Sequence, residues 1–327
     1  MRGFGLLLLL ALSSPQAPPE TLEVRNAHAL AYHRGLGKTV LFGGADERSV
    51  RGDTWTWDGT RWELLTTDGP TPRTFPAMAY DEKRDELVLF GGNTVLFGLE
   101  PDPRSFLDDT WIFGAAGWRR SSSSGPGARA EAAIAYDEIR ERIVLFGGHR
   151  LDDEGGRLRL GDTWEWDGEA WRAVSRDGPS PRNGASVAFS PLHQGVVLFG
   201  GNGPSGETWL WNGSVWTRLS MPEPPGRFNS GLARDPVSRG LVRFGGWNGK
   251  ERVADTWLLG EAWTRLETEG PPGRNHAPIA LDSGRNRVVL FGGHDGERVF
   301  GDTWEWDGAR WIAALPGGSK MRVDNGH

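Results

Sequence analysis

Short runs of large apolar residues alternate along the chain with turns rich in Gly, Pro and Asp, and the alternation is periodic. Each period opens on an Arg and continues as Arg-x-x-x-small-large-Ala, as in Arg129-Ala130-Glu131-Ala132-Ala133-Ile134-Ala135. The sixth position is large in every copy (Leu30, Met78, Ile134, Val187, Leu232, Ile279) and the seventh is always Ala. Alternation with period two predicts a strand. A polar turn follows, such as Asp137 to Glu141, then an apolar run such as Ile143-Val144-Leu145-Phe146 that ends at Gly-Gly and predicts a buried second strand. Thr-Trp-x-Trp predicts a third. Asp-Gly pairs (Asp58-Gly59, Asp167-Gly168, Asp307-Gly308) then lead into a fourth, such as Arg61 to Leu65. Asp-Gly between such runs is a hairpin signal, because Gly supplies the positive φ of the tight turn.

The period occurs six times. Phe-Gly-Gly has its first Gly at 43, 91, 147, 200, 245 and 292, and an acidic-Thr-Trp triplet follows each copy, at Asp53, Asp109, Asp162, Glu207, Asp255 and Asp302. A further Trp closes each unit: Trp62, Trp118, Trp171, Trp216, Trp263 and Trp311. The opening residues are Arg25, Arg73, Arg129, Arg182, Arg227 and Arg274, each 18 residues before its Gly-Gly. The closing Trp lies 11 residues before the next Arg at all five junctions. Only the stretch from Gly-Gly to the triplet varies freely, with 8, 16, 13, 5, 8 and 8 residues. Six four-stranded units of about 50 residues predict an all-β, six-bladed propeller with four antiparallel strands per blade, spanning residues 25–315.

Gly-Gly at the end of the second strand, the paired aromatics and the Pro-x-x-Arg-like residues before the first strand resemble the kelch repeat. The resemblance runs from Arg25 to about Leu315 and implies the fold. It implies little about activity, because kelch propellers include enzymes, adhesion modules and adaptors. Kelch rings often close by lending the last blade a strand from the opposite terminus. Here every blade is complete in chain order, so closure is expected without exchange, or with minor pairing from Pro19 to Val24 in the 18–24 linker. The tail 316–327 has no pattern and is expected to be flexible.

Composition supports a folded chain: 48 of 327 residues are Gly, but 17 are Trp, 16 of them inside the repeats. Net charge is −6 and the pI is near 5.7, so nucleic acid is not expected as a partner. The absence of Cys removes disulfides, thiolate metal sites and cysteine nucleophiles. Residues 1–17, with Arg2 before an apolar stretch from Leu6 to Leu12, read as a signal peptide, which predicts a secreted or periplasmic protein. No segment is long and apolar enough to predict a membrane span.

The constant residues read as structure. The Gly-Gly pairs lack the helix and the Lys-Ser/Thr of a phosphate loop. Tryptophans at equivalent positions predict packing between blades rather than a sugar-stacking surface. Six arginines and six acids on one face predict a ring of Arg–carboxylate bridges, the competing reading being a cationic channel mouth for an anionic ligand. Function is expected in the loops of free length. Candidate ligand-binding residues there are Phe97, Glu100, Arg104 and Phe106 in blade two, His149, Arg150, Asp153 and Arg157 in blade three, Trp247 in blade five and His294 in blade six. Asp152-Asp153-Glu154 lacks the ligand spacing of a Ca²⁺ loop, and neither metal nor cofactor is expected. The copper oxidases that resemble this fold need a Cys–Tyr cross-link, and the Glu-x-x-x-Asp-x-x-x-His string of iron-using specifier proteins does not occur. The kelch-type sialic-acid mutarotases remain open, because mutarotation needs little beyond a placed acid/base pair and an Arg. The expected function is an exported binding module for a protein or glycan. The alternative is a small carbohydrate-active enzyme using the channel mouth, and unpaired ring arginines beside Glu131 or His276 would favour it.

Overall fold

The computed structural model of the chain describes residues 21–96, 99, 102–202, 206–317 and 319–321. Six four-stranded antiparallel sheets, each from one consecutive stretch of chain, stand around an axis as the blades of a propeller. Blade one is Ala29–His33, Lys38–Phe42, Thr54–Trp57 and Trp62–Thr66, from the axis outward. Its register sets Leu30, Leu41, Trp55 and Leu64 in one row across the sheet. That row packs on Ala280, Val289 and Phe291 of blade six, so the core is a set of six inter-blade layers.

Three sets of bonds repeat at every junction, including the one between blades six and one. The closing Trp of each blade donates its indole N–H to the triplet Thr of the preceding blade: Trp118 to Thr54, Trp171 to Thr110, Trp216 to Thr163, Trp263 to Thr208, Trp311 to Thr256 and Trp62 to Thr303, all at 2.8–3.0 Å. The second Gly of each pair donates its N–H to the carbonyl of the next blade's opening Arg, from Gly44 to Arg73 at 2.9 Å round to Gly293 to Arg25 at 2.9 Å. A Cβ on Gly43 would lie 2.8 Å from that same Arg73 carbonyl oxygen, and Gly43 has φ +70°, so the pair satisfies both a close approach and a left-handed torsion. The third set is a ring of backbone bonds at the axis, described below.

Among the described residues no strand is exchanged on closure; Pro19 and Glu20 of the stretch expected to add minor pairing lie outside them. Near the N-terminal end of the described chain, Arg25 N–H donates to the Phe300 carbonyl at 3.1 Å, and Asn26 bridges Ala45. In the described part of the C-terminal tail, Ser319–Met321 pairs antiparallel with Arg298–Phe300 of the blade-six loop.

Blade five breaks the pattern inside its core. The second strand carries Leu at one buried position in five blades (Leu41, Leu89, Leu145, Leu198, Leu290) and Arg243 in blade five. Arg243 is fully buried, with its guanidinium 4.9 Å from the Phe199 ring, 5.5 Å from Trp257 and 5.9 Å from Trp263. Its nitrogens have no hydrogen-bond acceptor among the described residues, and Asp255 is 3.7 Å away. Burial, with a contribution from Arg227 and against the pull of Asp255, pushes its pKa down to about 9. A buried charge without hydrogen bonds opposes folding, and apolar replacement of buried ionic groups gains up to about 1–4 kcal/mol where no partner is left unpaired; Asp255 keeps Arg227 at 2.7 Å. Arg243→Leu, the residue of the other blades, is therefore expected to raise stability by that order in urea or thermal unfolding. A lower midpoint would show that the aromatic cage outweighs the desolvation.

Candidate functional site

The opening Arg of each blade is paired within its own blade. Arg25–Asp53, Arg73–Asp109, Arg129–Asp162, Arg182–Glu207, Arg227–Asp255 and Arg274–Asp302 approach to 2.6–2.8 Å. The triplet Trp donates to the same acid in every blade. Burial alone would raise the pKa values of Asp53, Asp109, Asp162 and Glu207, yet hydrogen bonds from their arginines hold them below the usual carboxylate range. In five blades the Arg also donates to the first Gly carbonyl, while Arg227 turns instead to Pro225 and Gly226.

Two residues after each Arg the backbone turns left-handed, at Ala27, Phe75, Glu131, Gly184, Asn229 and His276, with φ between 52° and 63°. Their amides and carbonyls close a ring about the axis: Phe75 N–H to Ala27 at 2.7 Å, Glu131 to Phe75 at 3.3 Å, Gly184 to Glu131 at 3.1 Å, Asn229 to Gly184 at 2.9 Å, His276 to Asn229 at 3.3 Å and Ala27 to His276 at 3.1 Å. For the five non-glycine members this torsion costs about 1–3 kcal/mol each.

Above the ring lies a mouth of about 490 Å³; a smaller cavity of about 150 Å³ continues along the axis, and Phe75, Glu131 and His276 line both. The walls of the mouth come from the loops of free length. Asn93, Leu96 and Phe106 belong to blade two, His149 and Arg157 to blade three, Trp247 and Arg252 to blade five. Bridges between the first loop residue and the residue after the opening Arg (Asn93 with Thr74, His149 with Ala130, Trp247 with Phe228) hold these side chains beside the axis. Phe106 stands edge-on to His149 with centroids 5.4 Å apart, and the Arg252 guanidinium lies 4.4 Å over Trp247.

The floor is a buried polar cluster. Glu131 accepts from the Asn183 amide and, at 3.0 Å, from Asn229. His149 Nδ1 is 3.3 Å from one carboxylate oxygen and His276 Nε2 is 3.8 Å from the other. His276 Nδ1 in turn lies 3.0 Å from His294 Nε2. Burial disfavours the Glu131 charge, but His149, His276 and Asn183 prevail and hold its pKa at about 2. Among the described residues no group of three His, Asp or Glu has a geometry that could hold a metal ion.

Of the sequence candidates, Phe106, His149, Arg157 and Trp247 line the mouth, and His294 stands behind its floor against His276. Arg104 does not line it; it is almost fully exposed and pairs with Asp102 at 3.3 Å. Arg150 donates to the Leu151 carbonyl, and Asp153 is exposed in the turn of the ribbon His149–Leu151/Arg157–Arg159. Phe97 and Glu100 lie outside the described residues. Glu131 and His276 entered the sequence reading only as neighbours that would favour catalysis, and Phe75, Asn229 and Asn183 were not among the candidates; the ring members share the position two after Arg, whose side chain differs in all six units.

No family model matches the chain. Among curated proteins it is similar to the tRNA wybutosine-synthesizing protein 4 of Emericella nidulans, 32% identical over 124 residues, which is 35% of this chain and 11% of that protein. It is also similar to the Dynein regulatory complex subunit 7 of Chlamydomonas reinhardtii, 31% identical over 137 residues, 39% of this chain and 11% of the relative. The chain thus matches about a tenth of the length of either relative. A six-bladed propeller is consistent with a protein-interaction module, and no helix among the described residues is long and apolar enough to cross a membrane.

The low Glu131 pKa has a pH consequence. Relative to the ordinary value of 4.5, the depressed folded-state value adds stability that is complete above about 4.5 and is lost as pH falls towards about 2. Glu131→Gln is expected to lower the melting temperature at pH 7 and to narrow its gap from wild type by pH 3. A gap that stays constant over that range would remove the carboxylate as the source.

Proposed function

We propose that this chain is a kelch-type propeller acting as an exported interaction module that takes a protein segment or a glycan into its axial mouth. The observation that carries the reading is the make-up of that mouth: its walls come from the one class of segment whose length the repeat leaves free. Apolar Leu96, Leu99, Phe75 and Phe228 beside Asn93, Asn275 and Arg157 give the mixed lining of a recognition site. The opening arginines are held by their own acids, which argues against a ring of free cations for a small anionic sugar. The likeness to a dynein regulatory complex subunit, a protein named for an assembly, supports the interaction reading. The sixfold Phe-Gly-Gly and acidic-Thr-Trp spacing supports the kelch assignment, and the apolar stretch after Arg2 supports export.

Glu131 between His149 and His276 favours one second reading, proton transfer on a sugar in the same mouth.

A glycan array, anionic monosaccharides and candidate secreted proteins are the ligands to screen. Shortening Asn93 to Asp108, or Trp247→Ala, is expected to weaken binding by at least about tenfold, that is 1.4 kcal/mol, without altering the melt. Ligand binding untouched by both changes would sink the assignment of this face. Anomer equilibration of sialic acid, followed by NMR, tests the second reading: acceleration that Glu131→Gln abolishes supports it, and none rejects it. For export, N-terminal sequencing of the cell-derived protein is expected to begin near residue 18; an intact Met1 start contradicts it.

A further inference from the structure

Away from the mouth, the turn between the first two strands of one blade reaches the turn between the last two strands of the next. At three junctions this reach is made by an arginine: Arg84, Arg140 and Arg285. Each is paired with the Asp that begins its own turn, Asp81, Asp137 or Asp282. Each guanidinium lies against the Gly of the neighbouring Asp-Gly or Asn-Gly turn, at Gly168, Gly213 and Gly59 respectively. Arg84 also donates to the Asp167 carbonyl.

The junction between blades one and two lacks both halves of this arrangement. Blade one has His33 and Leu36 in place of the Asp and Arg, and blade two has Gly114-Ala115-Ala116-Gly117 in place of the Asp-Gly turn. Blade two also ends its third strand on Phe113 where blades one, three, four and six carry Trp. The two departures meet and leave a crevice of about 660 Å³. Its lining includes two carboxylates, Asp68 and Asp85, and three aromatic residues, Trp111, Phe113 and Trp118, but neither Lys nor Arg. Trp118 is the one closing Trp of the six that is not buried. The indole N–H groups of Trp111 and Trp118 are taken by Asp109 and Thr54, so a ligand meets these rings through their π systems. Asp85 accepts from the Gly35 amide at 3.0 Å and from the Tyr80 hydroxyl, yet its side chain remains 56% exposed. His33, 3.3 Å from Asp85, does not compete as a cation near neutral pH: burial keeps its pKa below the ordinary value although Asp85 acts the other way.

Carboxylates beside the partly exposed rings of Trp111 and Trp118, with no Lys or Arg in the lining, form a receptor for a flat organic cation. We propose that the crevice between blades one and two receives the guanidinium of an arginine supplied by a partner protein, in the place where blades two, three and six supply their own. This site is separate from the mouth, and its occupancy does not depend on what the mouth binds.

The test uses the whole protein and the peptide acetyl-Gly-Arg-Gly-amide, with the citrulline peptide as neutral isostere, followed by the NMR shifts of the indole N–H groups. The arginine peptide is expected to shift the Trp111 and Trp118 signals, to bind at least about tenfold more tightly than the citrulline peptide, and to weaken as salt is raised. Leu36→Arg, which provides the residue found at three other junctions, is expected to fold and to lose the peptide by at least about tenfold. Equal binding of the two peptides, undiminished binding to folded Leu36→Arg, or no shift by roughly 10 mM peptide overturns the proposal. The peptide comparison needs no variant, so it decides even if Leu36→Arg misfolds. Loss of mouth ligands on shortening Asn93 to Asp108 leaves this result unchanged.

Discussion

Each opening arginine holds two directions of the ring at once. Its guanidinium grips the acid at the start of the third strand in its own blade, as Arg73 grips Asp109 at 2.6 Å. Its carbonyl accepts the diglycine N–H of the preceding blade, as Arg73 accepts from Gly44 at 2.9 Å. The same acid takes the triplet Trp, and the Thr beside it takes the closing Trp of the next blade. Arg, Gly-Gly, acid, Thr and both tryptophans are therefore one bonded unit. Outside the loop from Gly-Gly to the acid their spacing hardly varies, because moving any one of them would strand a buried donor or acceptor, which costs about 1–3 kcal/mol.

That constancy defines where variation is tolerated. The loop between Gly-Gly and the triplet leaves the unit at one bonded residue and re-enters at another, so its length is free. The ring position two after Arg is free in a different sense: its backbone is fixed by the left-handed torsion and the axial bonds, but its side chain touches no repeated partner. Ala, Phe, Glu, Gly, Asn and His share it. A rigid backbone with unconstrained side chains is a good foundation for a site, and the Glu131 and His276 cluster stands on it.

Much of the fold was legible because the physics is repeated. Alternation, Asp-Gly turns and fixed spacings gave the strands, and the equal numbers of Arg and acid anticipated their pairing. The walls of the mouth were legible in part: length variation pointed to the loops of Phe106, His149 and Trp247. It could not tell Arg157, which faces the cavity, from Arg104, which lies in a short 3₁₀ turn held by Asp102. Period-two reading treats the position two after Arg as an ordinary strand residue, so the left-handed ring left no trace in hydropathy. Arg243 passed unnoticed within an apolar run for a similar reason, since its burial depends on aromatic rings from two blades. The crevice at Leu36 needed two departures, far apart in sequence, to be seen side by side.

The tryptophan-to-threonine bonds all point the same way around the ring, each blade donating to the one before it. Such a cycle has neither a first member nor a last. The seam between blades six and one, Trp62 on Thr303, is bonded like the other five, so no special terminal blade is required. The corollary is an all-or-none object. A partial ring of this geometry would leave one indole donor and one threonine acceptor facing water at its open ends, together with an unmatched diglycine amide and arginine carbonyl. The repeat is modular in sequence, but the unit of stability is the closed circle.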